Sequence, residues 1–140
     1  MKPSRWYRAA AILTALFCAG HSSGSLRGKP IPGAEAVAAA MKSFHFAFFG
    51  TERTYWDFLY GYGVFVAVAA AFVAVLHWML ARLDAGAARP IALLTALAQV
   101  GFAAASFRWF FWAPGALNLA AAACATVGSI AGRGRAPPSG

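Results

Sequence analysis

The sequence predicts an all-α integral membrane protein, a four-helix bundle with an amphipathic helix on the outer side between its first and second spans. Three observations predict it. From Phe58 to Ala81 there are 24 residues without Asp, Glu, Lys or Arg, and about 20 apolar residues cross a bilayer core of roughly 30 Å. The composition is 61% hydrophobic and 11% charged, against roughly 25% charged residues in an ordinary soluble domain. The 12 Lys and Arg outnumber the 4 Asp and Glu to give +8, and they sit between apolar runs. That is the pattern of residues flanking spanning helices, and it does not form the single basic face of a nucleic-acid-binding surface. The chain therefore reads as one membrane domain over residues 1–140, in contact with the lipid bilayer and with no nucleic-acid partner.

The first apolar run, Ala9 to Gly20, follows Lys2, Arg5 and Arg8, the charge and length pattern of a secretory signal peptide. Phe17-Cys18-Ala19-Gly20-His21 is a poor small-x-small cleavage site. A retained helix over residues 6–25, with Trp6, Tyr7 and Arg8 at the interface, is the preferred reading. Between His21 and Gly33, glycine, serine and proline predict an exposed connection. Ala34 to Phe49 then places Val37, Met41, Phe44 and Phe48 on one helical stripe, which predicts an amphipathic helix stopped by Gly50. Either lipid or neighbouring helices would cover that stripe.

Thr54 and Asp57 have the spacing of a capping box. They open the second span, residues 56–81, whose entry holds Tyr55, Trp56, Phe58, Tyr60 and Tyr62. Such a cluster matches an interfacial aromatic belt. Gly63 and Ala67 begin a face of small residues that suits close helix approach. His77, Trp78 and Arg82 mark the far interface. Pro90 starts the third span, residues 90–107, which has no charged side chain. Arg108 and the aromatic turn after it lead to the fourth span, residues 109–131. The basic, proline-rich tail, residues 132–140, reads as disordered.

With four spans, the termini and the Arg82–Arg89 turn carry seven Lys and Arg and the opposite side carries five. This bias places both termini in the cytoplasm. Residues 26–53 then lie outside.

No Asp, Glu, Lys or Arg lies between Phe58 and Ala81 of the second span or within the third, which argues against a proton-coupled antiporter built on a central carboxylate. His77 reads as an interfacial histidine. His21 and His77 fall roughly 30 Å apart along the membrane normal, from about 1.5 Å per residue, too far for one haem between them. Gly61-Tyr62-Gly63 lacks the third glycine and the preceding strand of a dinucleotide site. Cys18 and Cys124 form no CxxC motif and read as free thiols. Neither a cofactor nor a resident metal is expected.

Two groups of residues stand out. Gln99 and Asn118 fall near the middles of the third and fourth spans, where an amide needs a partner. They are expected to face the bundle interior, bonding between helices or lining a small pocket. His21, His45 and Asp57, with Tyr55 and Trp56, form a candidate outer-mouth site.

Met41-Lys42-Ser43-Phe44, Gly50, Thr54-Tyr55-Trp56-Asp57-Phe58 and Gly61-x-Gly63 together resemble a set of small bacterial four-span membrane proteins of uncharacterised function. The resemblance covers about a fifth of the chain. It implies a retained first helix and a location in the bacterial inner membrane, and it implies no activity or cofactor. The functional expectation is a non-enzymatic structural or partner-binding membrane component, engaging a second copy or another membrane protein. The alternative is a small ligand-binding or enzymatic protein with its pocket near His21, His45 and Asp57.

Overall fold

A computed structural model describes residues 2–26 and 31–132. Met1, Arg27 to Pro30 and the tail from residue 133 lie outside the described residues, so the expectation of a disordered tail concerns residues not described. Five helices dominate the fold: α1 (Pro3–Ser25), α2 (Glu35–Ser43), α3 (Tyr55–Leu80), α4 (Ala85–Trp109) and α5 (Trp112–Ala131). Between α2 and α3 lies one hairpin, β1 (His45–Phe48) and β2 (Thr51–Thr54). Among the described residues, three helices, α3, α4 and α5, are long and apolar enough to cross a membrane.

The chain divides into two compact units. The first comprises residues 1–18 and 69–140. Its core is built largely from alanine. Tyr7, Leu80, Ala88 and Ala92 form one buried cluster, and Ala10, Ala96, Ala122 and Ala125 form another. Side chains this small let helix backbones approach closely, which matters where lipid provides no hydrophobic drive between helices. Glycine extends the principle: a Cβ on Gly128 would lie 2.7 Å from Tyr7 Cε1, and one on Gly115 would lie 2.6 Å from Phe107 Cζ. Tyr7 is 2% exposed, because it lies on the α1 stripe of Tyr7, Ala10, Ala11, Thr14 and Phe17 that packs inward.

α4 begins at Ala85, five residues before the expected start at Pro90. Asp84 explains the difference, since its side chain accepts a hydrogen bond from the Ala87 amide at 3.0 Å and caps the first turn. Pro90 therefore sits within the helix, where it contributes no amide hydrogen bond. Pro114 falls in the first turn of α5, where its missing N–H is tolerated.

The second unit comprises residues 19–68. Within it, His21 to Ser25 continue α1, and the Ser23 and Ser25 hydroxyls donate back to Gly20 O and His21 O at 2.9 and 2.7 Å. The helix expected over Ala34–Phe49 ends at Ser43. From His45 onward the chain pairs antiparallel with Thr51–Thr54, in the register Phe46↔Arg53 and Phe48↔Thr51. Phe49 and Gly50 form the two-residue turn with φ of 47° and 77°. Positive φ at both central residues is the type I′ geometry that matches strand twist, and it is incompatible with a continuing helix.

Candidate functional site

Two constellations carry the chemistry, one in each unit. The first is a set of hydrogen bonds in the apolar interior of the first unit. The Thr14 hydroxyl donates to Ala10 O at 2.8 Å, so its oxygen accepts from Gln99 Nε2 at 2.6 Å. His77 Nδ1 lies 3.4 Å from the same oxygen, and His77 Nε2 lies 3.0 Å from Thr95 Oγ1. The Thr95 hydroxyl donates to Ala92 O at 3.0 Å. Both threonine protons point at carbonyls of their own helices, so both oxygens face the imidazole as acceptors, and a neutral imidazole has one N–H to give to one of them. The shorter contact assigns it to Nε2, donating to Thr95 Oγ1, which joins α3 to α4, while Gln99 joins α4 to α1.

His77, read from the sequence as an interfacial histidine, is 0% exposed. The signal was present in the sequence. Ala70, Val73, His77 and Leu80 are all buried and follow one another at helical spacing, so His77 lies on the packed stripe of α3. Thr14 lies likewise on the stripe of α1, and sequence reasoning singled out neither threonine.

Gln99 and Asn118 are each 1% exposed. Gln99 bonds across helices, through Thr14. Asn118 Nδ2 donates within its own helix, to Pro114 O at 2.7 Å. Among the described residues, Gln99 Oε1 and Asn118 Oδ1 are buried without a hydrogen-bond partner. Among the described residues, no disulfide involves Cys18 or Cys124.

The second constellation is the hairpin and the start of α3. Thr54 and Asp57 form a reciprocal cap: the Thr54 amide and hydroxyl donate to Asp57 Oδ2 at 2.8 and 2.9 Å, and the Asp57 amide donates to Thr54 Oγ1 at 3.1 Å. The cap joins β2 directly to α3 without a linker. Around it the rings interlock. Tyr55 stacks on Phe44 at 5.8 Å and contacts Phe46 at 5.0 Å, while Phe58 meets Phe46 at 5.7 Å and Phe48 at 5.1 Å. Lys42 Nζ sits 4.3 Å from the centroid of the Trp56 ring.

Strand alternation sorts the hairpin's side chains. Phe46, Phe48, Thr51 and Arg53 share one face, and His45, Ala47, Glu52 and Thr54 share the other. On the first face an open cleft of about 420 Å³ runs between the hairpin and α3, with Arg53 and Asp57 among its lining residues. Of His21, His45 and Asp57, only Asp57 lines this cleft. His45 is on the opposite face, 3.0 Å from Glu52 Oε1, and His21 Nε2 lies 3.0 Å from Gly63 O. Each of the three thus has its own partner. Among the described residues there is no group of three His, Cys, Asp or Glu able to hold a metal ion.

No protein-family model, curated protein or solved structure matches the chain. The resemblance drawn on Met41-Lys42-Ser43-Phe44, Gly50, Thr54-Tyr55-Trp56-Asp57-Phe58 and Gly61-x-Gly63 therefore rests on those residues alone.

Proposed function

We propose that this chain is a four-span component of the bacterial inner membrane, with α1 as the first span, and that its role is structural or partner-binding. The hydrogen-bond chain through Thr14 supports α1 as a retained span. Its bond to Gln99 would be lost with the helix, stranding the amide in an apolar interior. The exposed rings of the second unit supply the surface for a partner. The reading rests above all on the division of labour between the units, with polar groups consumed inside by helix joining and aromatic groups gathered outside on a capped hairpin.

Intact-mass measurement of the chain extracted from membranes, with reporter fusions after Gly140 and within the Phe49-Gly50 turn, tests this. The expected outcome is a full-length mass, a cytoplasmic reading after Gly140 and an external reading at the turn. A mass lacking Met1 to Gly20, or the same reading from both reporters, would overturn the four-span arrangement.

A further inference from the structure

We propose that the cleft between the hairpin and α3 binds one phospholipid with a primary ammonium headgroup, of the phosphatidylethanolamine type. The inference rests on the reading of α3 as a membrane span and names a partner for the aromatic surface of the second unit.

Position is the first argument. The hairpin passes into α3 at Thr54-Tyr55 without a linker, so its cleft opens where the span enters the membrane. The second argument is polarity along the cleft. Arg53 and Asp57 line its polar part, while Phe58, Tyr62 and Phe65 continue down one face of α3 at the i, i+4, i+7 spacing. From Asp57 to Phe65 the helix rises about 12 Å, which takes a chain from headgroup level into the acyl region.

Charge complementarity selects the headgroup. Arg53 Nη1 donates to Glu52 O at 2.8 Å, and the rest of its planar fork remains for a phosphate. The cap bonds all fall on Asp57 Oδ2, leaving Oδ1 to accept from an ammonium. A headgroup carrying phosphate and ammonium together satisfies both residues. An anionic headgroup without an amine would meet the Asp57 carboxylate, and a trimethylammonium has no N–H to donate.

Gly61 supplies room for the acyl chain. It lines the cleft, and a Cβ built there meets no atom within 4 Å. At the rim Phe49 holds its ring 95% exposed on a backbone of positive φ, a strained placement of the kind that marks binding sites.

The test is native mass spectrometry of the full chain in detergent, with an equimolar mixture of palmitoyl-oleoyl phosphatidylethanolamine, phosphatidylcholine and phosphatidylglycerol. One phosphatidylethanolamine per chain is expected, preferred by roughly tenfold over each of the others, the worth of one charge-assisted hydrogen bond. Arg53→Gln should weaken all phospholipid binding, and Asp57→Asn should erase the preference over phosphatidylcholine. Gly61→Leu should abolish the bound lipid without lowering the unfolding temperature, because its side chain enters open space. Equal binding of the three lipids, a ladder of many lipids without saturation, or lipid retention in Gly61→Leu would overturn the site. Alkaline carbonate extraction separates the two readings: release of the chain from membranes sinks the membrane reading itself, whereas an embedded chain without the lipid preference sinks only this inference.

Discussion

Thr14 Oγ1 accepts a hydrogen bond from Gln99 Nε2 at 2.6 Å across 85 positions of sequence. The same hydroxyl oxygen faces His77 Nδ1, so a single threonine touches both other helices. Removing it leaves the buried Gln99 amide without a partner, and that asymmetry sets the cost.

Thr14→Val should lower stability by about 1 to 3 kcal/mol, the penalty of stranding buried polar groups, whereas Thr14→Ser should be nearly silent. Combining Thr14→Val with Gln99→Leu should cost less than the sum of the single changes, because the second removes a donor that the first left unpaired. Unfolding in detergent followed by circular dichroism measures all four proteins. Strict additivity would show that the contact carries no coupling.

Gly128 and Tyr7 predict a steric dependence. A Cβ at residue 128 would meet Tyr7 Cε1 at 2.7 Å, and Tyr7 is buried, so neither side can yield without repacking. Gly128→Val should destabilise by about 1 to 3 kcal/mol. Tyr7→Ala in the same chain should recover part of the loss of Gly128→Val, measured by unfolding of the four-member set. Gly20→Val is the control, since a Cβ there meets nothing within 4 Å.

Much of the first unit was legible because its signal is local. An uncharged run such as Phe58–Ala81 states a helix long and apolar enough to cross a membrane, and Gln99 near the middle of the next apolar run announces that it needs a partner. What local reading could not supply was the partner's identity, because Thr14 reaches Gln99 only through tertiary packing. The burial of His77 was not drawn from the sequence because its neighbours Trp78 and Arg82 were weighed above its spacing from Ala70, Val73 and Leu80. The hairpin was missed for a different reason. Val37, Met41, Phe44 and Phe48 satisfy a helical period while Phe46 and Phe48 satisfy a strand period, and the choice between them is made at Phe49-Gly50 by turn geometry. The outer-mouth site joined residues by expected depth, but strand alternation places His45 on the face opposite Arg53.

Asp84 fixes where α4 starts. Asp84→Ala should cost about 0.5 to 2 kcal/mol and Asp84→Asn a few tenths at most, as an asparagine retains the cap. Amide hydrogen exchange reads the effect locally. Protection should fall at Ala87 and Ala88, the first amides bonded to Asp84, and remain unchanged in α5. Uniform loss of protection would mean that the residue acts on global stability instead of on its own helix end.

The Phe49-Gly50 turn separates folding from function. Phenylalanine in the left-handed region is costly, whereas Asn-Gly is favoured in a type I′ turn. Phe49 is almost wholly exposed, and its edge-to-face contact with Phe48 at 4.8 Å is its only ring partner among the described residues. Phe49→Asn should therefore stabilise the hairpin by about 1 kcal/mol, seen as slower exchange of the β1 and β2 amides. If the exposed ring serves binding, the same substitution should weaken phosphatidylethanolamine retention even as the hairpin tightens. A hairpin that loosens on Phe49→Asn would show that the ring stabilises the turn, and strain at this position would then need no functional explanation.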